Sequence, residues 1–272
     1  MSLHFSRSAT RLDTPVGSIW DIHDEAVARQ RAGQDIILLS VGDPDFPTPA
    51  YITEHTVAAI NRGRTHYSPA AGEFNLREAI AALEARITGR QLEAEQFVIF
   101  PGASAALYAV FCSVLDPGDE VIVPEPMYAA YTAMFAAIGA TIVPVALKPP
   151  AFELKAAEVF AAVTDRTRAV LVNTPGNPCG NLIEEATLRA LAEGCRERDL
   201  WLVSDEVYSL ITFDAPHWSL LRYDGDQSNL VVIDSLSKSH AMSGWRVGWA
   251  AGPPDLVAQL IRFSSAALFG VC

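Results

Sequence analysis

The sequence has little positive charge and no long apolar segment. Its 20 lysines and arginines are outnumbered by 32 aspartates and glutamates, so the formal net charge is −12 at pH 7. An acidic protein of this kind is a poor partner for nucleic acids and anionic membranes. No apolar run approaches the roughly 18 residues of a membrane span, and the N-terminus lacks the apolar core of a signal peptide. We therefore expect no nucleic-acid partner and no membrane partner.

Cysteine and histidine are also scarce, and neither shows ligand spacing. The four cysteines contain no C-x-x-C pair, so no disulfide framework is indicated and the thiols are predicted to be reduced. The six histidines lack the H-E-x-x-H spacing of a metal site. No G-x-G-x-x-G follows the first predicted strand, which disfavours a nicotinamide cofactor. These absences predict a cytoplasmic protein without a bound metal.

Lysine is rare, and one lysine stands in an unusual setting. The chain has only Lys148, Lys155 and Lys238. Lys238 follows a β-branched segment, 231–235, with serines three residues before it and one residue to either side, and Arg246 comes eight residues later. A cofactor that carries an aldehyde and a phosphate group requires an amine to bond to the aldehyde and nearby side chains to bind the phosphate. The segment around Lys238 offers both.

Short apolar segments alternate with helical patterns after residue 96. Seven such segments, separated mostly by helices, predict an α/β three-layer sandwich with a mostly parallel seven-stranded sheet. The short connection around Lys238 predicts that the last two strands are antiparallel. The candidate strands are Phe97–Phe100, Val121–Val123, Thr141–Val145, Ala169–Asn173, Trp201–Asp205, Val231–Ser235 and Arg246–Ala251.

The N-terminal part has a different pattern. A mixed helix is predicted from Gly17 to Gln30, followed by a short strand, Ile36–Val41, and a turn-rich loop to Pro49. Two further helices are predicted before the first strand of the sheet.

Polar and small residues follow five of the predicted strands. In open α/β sheets, ligands bind beyond the carboxyl ends of the strands, so these residues are candidate site residues. They are Gly102, Ala103 and Ser104, then Tyr128, then Asn177, then Asp205 and Tyr208, and finally Ser235, Ser237 and Lys238.

The residue types at these positions suit a phosphate and a pyridine ring. A helix that opens at Gly102 directs free N–H groups at an anion, and the hydroxyl of Ser235 and the guanidinium of Arg246 add donors. A buried Asp205 needs a cation, which a protonated pyridine nitrogen would supply. Asn177 and Tyr208 would donate to a phenolate oxygen, and Tyr128 would stack on the ring. Simpler explanations are a helix cap for Asp205, a turn for Asn177 and a core aromatic for Tyr128.

Three motifs at these positions carry a resemblance to a known family. They are Asn177-Pro-Cys-Gly180, Ser204-Asp-Glu-Val-Tyr208, and Ser235-x-Ser-Lys238 with Arg246. Together they resemble the fold-type I, pyridoxal-phosphate-dependent aminotransferases of class I/II, although Cys179 replaces the usual threonine. Within that family, segments such as Trp20-Asp-Ile-His23 and Ser237-Lys-Ser-His-Ala-Met242 are similar to those of arginine–pyruvate transaminases.

The resemblance implies a cofactor, a reaction and roles for residues. The cofactor is pyridoxal 5′-phosphate, and the catalytic residues are Lys238 as the Schiff-base lysine, Asp205 and Tyr208. Gly42 and Asn177 bind the substrate, and Tyr67 reaches the cofactor of a neighbouring subunit in a homodimer. The reaction moves the amino group of an L-amino acid, arginine being one candidate, to a 2-oxo acid such as pyruvate.

The resemblance also implies a domain organisation. Residues 1–48 are expected to form an arm and the N-terminal part of an incomplete small domain, and residues 49–272 the cofactor-binding large domain. Family members continue past the position of Cys272 with a portion that completes the small domain and supplies a carboxylate-binding arginine. We therefore expect this portion to be absent. Alternative functions are a C–S β-lyase, a decarboxylase, an amino-acid oxidase, or a cofactor-binding module without turnover.

Overall fold

A seven-stranded mixed sheet forms the centre of the protein. The computed structural model describes residues 3–13 and 19–271. The strands lie in the order β1-β7-β6-β5-β4-β2-β3. From β3 across to β6 the neighbours are parallel, whereas β7 lies between β6 and β1 and is antiparallel to both. The strands are β1 (Phe97–Phe100), β2 (Glu120–Glu125), β3 (Thr141–Ala146), β4 (Thr167–Asn173), β5 (Trp201–Asp205), β6 (Leu230–Ser235) and β7 (Gly248–Ala251).

Helices cover both faces of this sheet. One apolar cluster includes Ile80 of α4 and Leu188 of α8, and the other includes Leu107 of α5 and Leu260 of α10. Each such side chain contributes about 1.5–3 kcal/mol when fully buried. This arrangement confirms the predicted α/β sandwich. The helices are α1 (Arg7–Thr10), α2 (Ile19–Arg31), α3 (Ala50–Asn61), α4 (Phe74–Thr88), α5 (Ala103–Val114), α6 (Ala130–Ile138), α7 (Ala156–Ala161), α8 (Glu185–Glu197), α9 (Leu236–Ser239) and α10 (Pro254–Ala267).

Two sequence predictions about strands are wrong, each for a local reason. Residues 36–41 form no strand; they pair with no strand of the described chain, and Leu39 is 88% exposed. The last strand begins at Gly248 and not at Arg246, because Arg246 has a left-handed φ of 57° that breaks the ladder. The predicted antiparallel pairing of the last two strands is confirmed. Gly17, the predicted start of the first long helix, lies outside the described residues.

Alternation along β5 and β6 divides the residues at their ends between the two faces of the sheet. Val203 packs in the apolar cluster of α5, so Asp205 points to that face and Glu206 to the opposite one. The same alternation in β6 directs Ser235 to the α5 face and Asp234 to the face that α4 covers. A polar residue at the site therefore has an acidic neighbour behind the sheet.

Three carboxylates are buried on the α4 face, and we call them the acid layer: Glu84, Glu206 and Asp234. His217 adds a buried ring whose Nε2 lies 3.0 Å from Glu206 Oε2. Burial, with the nearby charge of Glu206, raises the pKa of Glu84 to about 7. Burial also raises the pKa of Asp234 well above its usual value, and the charge of Glu84 adds to that effect. The acid layer was not predicted from the sequence.

Glu84→Gln should stabilise the folded protein at pH 8 and not at pH 4. Folding raises the pKa of Glu84 from 4.5 to about 7, so stability is lost as the pH rises through that interval. The loss is about 3 kcal/mol, and a glutamine removes it. Urea unfolding at both pH values measures the effect. Glu78→Gln, an exposed position on the same helix, should change stability little. An equal gain at pH 4 and pH 8 would contradict the prediction.

Candidate active site

A cleft of about 1010 Å³ opens at the carboxyl ends of the parallel strands. Most of the candidate residues from the sequence line it, although they come from distant parts of the chain. The structure does not place Gly102 or Tyr67 in this lining. The lining includes Gly42, Ala103, Ser104, Tyr128, Asn177, Asp205, Tyr208, Ser235, Ser237, Lys238 and Arg246.

One end of the cleft is built for an anion. Helix α5 starts after Gly102, and no side chain caps its N-terminus, so its first N–H groups and helix dipole face the cleft. Ser235 is buried and its Oγ accepts a hydrogen bond from Ser237 N at 3.3 Å. The Arg246 guanidinium donates to Ser243 O at 2.7 Å and to Pro101 O at 3.1 Å. These contacts hold the guanidinium beside the start of α5.

Glycine at position 102 is required by this arrangement. Its φ of 85° and ψ of 166° lie in a region that only glycine adopts readily, and a Cβ there would overlap the Arg246 guanidinium. Gly248 meets a similar limit, because its Cβ would lie 2.5 Å from Ala103 N. The close approach of β7 to the first turn of α5 therefore depends on Gly248, and the position of the Arg246 guanidinium depends on Gly102.

Gly102→Ala should weaken phosphate binding at the start of α5 and cost about 1–3 kcal/mol of stability. The added methyl displaces the Arg246 guanidinium and strains the backbone that orients the first N–H groups. Isothermal titration with inorganic phosphate and thermal unfolding measure the two effects. Gly118→Ala is the matched control, because it shares a positive φ but has open space around its Cβ. If both variants bind phosphate equally, the prediction is wrong.

Asp205 is a buried residue of the cleft lining. Its side chain accepts hydrogen bonds from Tyr131 Oη at 2.6 Å and from Val207 N at 3.3 Å. Burial raises its pKa from 3.8 to about 6, against the opposing effect of these two donors. Neither donor carries a charge, so the carboxylate is poised to receive a cationic group. Helix capping does not account for it, because Asp205 ends a strand and Val207 begins no helix.

Tyr128, Asn177 and Tyr208 form one wall of the cleft. Asn177 Nδ2 donates a hydrogen bond to Tyr208 Oη at 3.4 Å, so the amide and the phenol lie side by side in the cleft lining. Asn173 holds this wall together: its Oδ1 accepts from Asn177 N at 2.7 Å, and its Nδ2 donates to Asp205 O at 2.9 Å. The turn at Asn177 thus also positions its side chain. Tyr128 is half-buried, and its ring lies perpendicular to that of Tyr131 with centroids 5.4 Å apart.

Lys238 lies under the N-terminal segment that precedes α3. Its Nζ donates a hydrogen bond to Gly42 O, and Ser243 Oγ donates to Asp43 on the same segment. Residues 39–42 therefore form part of the cleft lining. Tyr67 is 84% exposed, and its ring contacts Phe269 of its own chain with centroids 5.0 Å apart.

The donor set fits pyridoxal phosphate and a small amine substrate. Lys238 provides the amine, Asp205 a buried carboxylate for a protonated ring nitrogen, and the start of α5 with Ser235 and Arg246 an anion seat. The cleft volume lies near the upper end for ligand pockets, which is enough for both molecules. The described residues contain no group of three metal-ligating side chains, and none of the described helices is long and apolar enough to cross a membrane.

Sequence reasoning missed the residues that support the site. Tyr131, Asn173 and the acid layer make no recognisable motif, because their roles depend on contacts between distant strands. Tyr131 carried no sequence signal of its own, because Tyr128 precedes α6 and only Tyr131 belongs to that helix.

Comparisons with known proteins agree with this geometry. Residues 34–272 match the family model of aminotransferase class I and II. An arginine–pyruvate transaminase of Pseudomonas aeruginosa is 46% identical over 98% of this chain and 68% of its own. An aspartate aminotransferase of Geobacillus stearothermophilus is 37% identical over 90% of this chain and 63% of its own. The structure of the Thermus thermophilus aspartate aminotransferase with maleate superposes with a TM-score of 0.93 at 33% identity, over 99% of this chain and 70% of that one. The chain thus spans about two thirds of the length of these relatives.

Proposed function

Because the chain belongs to the class I and II aminotransferases, we propose that the protein moves the amino group of an L-amino acid to a 2-oxo acid. Members of this family use pyridoxal 5′-phosphate. The observation that carries the proposal is the shared cleft of Lys238 and the buried Asp205, which also receives the open N-terminus of α5.

The residues of the cleft would hold the cofactor at three points. The first N–H groups of α5, at Ala103 and Ser104, would bind the phosphate together with Ser235 and Arg246. Asp205 would keep a proton on the ring nitrogen, since a buried carboxylate favours a cationic partner. The orphan N–H groups and the guanidinium are already oriented, so binding does not have to order them.

The remaining groups would act on the substrate. Pyridoxal phosphate supplies an aldehyde that bonds covalently to amines and a ring that accepts electrons from the substrate α-carbon. Lys238 Nζ would be the base that takes the proton from that carbon. Tyr208 Oη and Asn177 Nδ2 would donate to the ring oxygen, and Gly42 would offer its backbone to the substrate carboxylate.

The amino donor and acceptor are proposed from one relative. The relative from Pseudomonas aeruginosa is an arginine–pyruvate transaminase, and we extend arginine and pyruvate to this protein as substrates. Other relatives are aspartate aminotransferases, so a panel of donors is the appropriate test.

We propose further that the active form is a homodimer. Helix α3 has no buried residue, and Tyr67 is exposed, which a second copy covering them would explain. In such a dimer Tyr67 would reach the partner's phosphate. Residues 1–48 would then serve as an arm and part of a small domain, with 49–272 as the large domain. A cytoplasmic location stays a prediction from the sequence.

Product analysis with a panel of amino donors tests the proposed reaction. The protein with pyridoxal phosphate is incubated with L-arginine and pyruvate, and L-alanine and the 2-oxo acid of arginine are expected in equal amounts. L-citrulline, a neutral analogue of arginine, and L-aspartate are the comparison donors. A strong preference for arginine over citrulline supports recognition of the charged guanidinium.

Other products would identify another function. Ammonia released without alanine supports β-elimination, carbon dioxide supports decarboxylation, and hydrogen peroxide supports oxidation. If the protein binds the cofactor but converts no donor, it is a cofactor-binding module and the proposed transfer is wrong.

A further inference from the structure

Asp234 of the acid layer contacts two residues that stand next to, or belong to, the cleft lining, namely Ser209 and Ser235. Its Oδ2 accepts a hydrogen bond from Ser209 Oγ at 2.8 Å, and its Oδ1 accepts one from Ser235 N at 2.6 Å. Ser209 directly follows Tyr208, and Ser235 opens the short helix α9 that carries Lys238. The Asp234 carboxylate therefore links the turn that contains Tyr208 to helix α9, which contains Lys238.

This link is buried and has little freedom. Asp234 is 6% exposed and Ser235 is 2% exposed. The turn is held elsewhere by its backbone, since Ser209 N donates to Glu206 O at 2.7 Å and Glu206 N donates to Ile233 O at 2.8 Å. Asp234 is thus a side chain that joins this turn to Ser235, the last residue of β6.

We propose that Asp234 is a positioning residue that sets the distance between Tyr208 and the Ser235–Lys238 helix, and so prepares the cleft for its cofactor. The inference rests on the proposed function, because it concerns the same cleft. Asp234 is not part of the cleft lining; it acts through Ser209 and Ser235. A cofactor held by Tyr208 on one side and Ser235 on the other binds most tightly when these groups are already in place.

Ser209→Ala removes one arm of the link and leaves every residue of the cleft lining unchanged. Pyridoxal phosphate affinity, measured by absorbance titration, is expected to fall about fivefold to tenfold, the effect of one hydrogen bond. Amide hydrogen exchange at residues 235–239 of the cofactor-free protein is expected to become faster.

Ser204→Ala is the matched control. Ser204 is also a buried serine, and its Oγ donates to a carboxylate of the acid layer, Glu206 Oε1, at 2.8 Å. It does not reach Ser235. This variant is expected to lose similar stability but to keep cofactor affinity and exchange at 235–239 within about twofold of the wild type.

Two substitutions at Asp234 separate a positioning role from simple loss of packing. An asparagine can accept from Ser235 N and donate to Ser209 Oγ, so Asp234→Asn should keep affinity within about threefold, whereas Asp234→Ala should lose about fiftyfold or more. Equal effects of Ser209→Ala and Ser204→Ala, or of Asn and Ala at 234, overturn the inference. If the wild type binds no pyridoxal phosphate, the proposed function fails, and the exchange comparison alone decides the link.

Discussion

Lys238→Ala is expected to abolish covalent attachment of pyridoxal phosphate and to reduce amino transfer by at least about 10⁴-fold. The chain has three lysines, and Lys238 is the one in the cleft. The variant loses both the amine that bonds to the aldehyde and the base that moves the α-proton, and a positioned base alone contributes about 10²–10⁴-fold. Borohydride treatment followed by mass spectrometry measures attachment, and coupled assay of the 2-oxo acid measures turnover.

The other lysines supply an internal control. Lys148 is exposed and lies outside the cleft lining, so Lys148→Ala should keep attachment and turnover at the wild-type level. Borohydride labelling of Lys148 or Lys155 in the wild type would contradict the assignment of Lys238. Retained turnover in Lys238→Ala would remove the lysine from the proposed mechanism.

Asp205→Asn is expected to lower amino transfer by about 10²–10³-fold. An amide cannot hold a proton on the ring nitrogen, and removing one partner of a buried ion pair costs about 3–5 kcal/mol. Phosphate binding should be little changed, because the anion seat lies at α5. Single-turnover kinetics with saturating cofactor measure the chemical step. Asp214→Asn is the matched control, since Asp214 is an exposed acid of the same cleft.

The same substitution should have the opposite effect on the stability of the cofactor-free protein. The folded state raises the pKa of Asp205 from 3.8 to about 6, so the carboxylate destabilises the fold increasingly as the pH rises through this range. Asp205→Asn should therefore gain up to about 3 kcal/mol at pH 8 and nothing near pH 3.5. A loss of stability at pH 8 would mean that the hydrogen bonds from Tyr131 and Val207 outweigh the cost of burying the carboxylate, and it would contradict the prediction.

The sheet was largely predictable because most of its strands, β3 at the edge excepted, are buried on both faces. Segments such as Phe97–Phe100 and Val231–Ile233 consist entirely of apolar residues, and they lie in strands where the pattern indicates. The same criterion, a short apolar segment, gave a wrong strand for residues 36–41. Such a segment indicates that its side chains favour burial, but it does not show that another strand lies beside it. The position of β7 between β6 and β1 could not be predicted from the pattern of apolar residues, because strand pairing depends on contacts between distant segments.

The site was predictable where a residue at a strand end has a side chain whose chemistry suggests a specific role. Lys238, Asp205 and Asn177 are residues of this kind, and the structure brings them to one cleft. The contacts that support these residues were not predictable. Tyr131 and Asp234 have ordinary identities, and their importance follows from distances of 2.6–2.8 Å to residues 25–74 positions away in the chain.

The position of β7 also determines when the protein can complete its site during translation. Strand β1 ends at Phe100, and its partner β7 begins at Gly248, so a ribosome needs roughly 7 to 30 seconds to make the intervening residues. Throughout that interval the nascent chain carries an apolar strand without its partner, which is a hazard for aggregation. The anion seat under Arg246 is likewise unfinished, so a shorter nascent chain cannot use the cofactor to stabilise its fold.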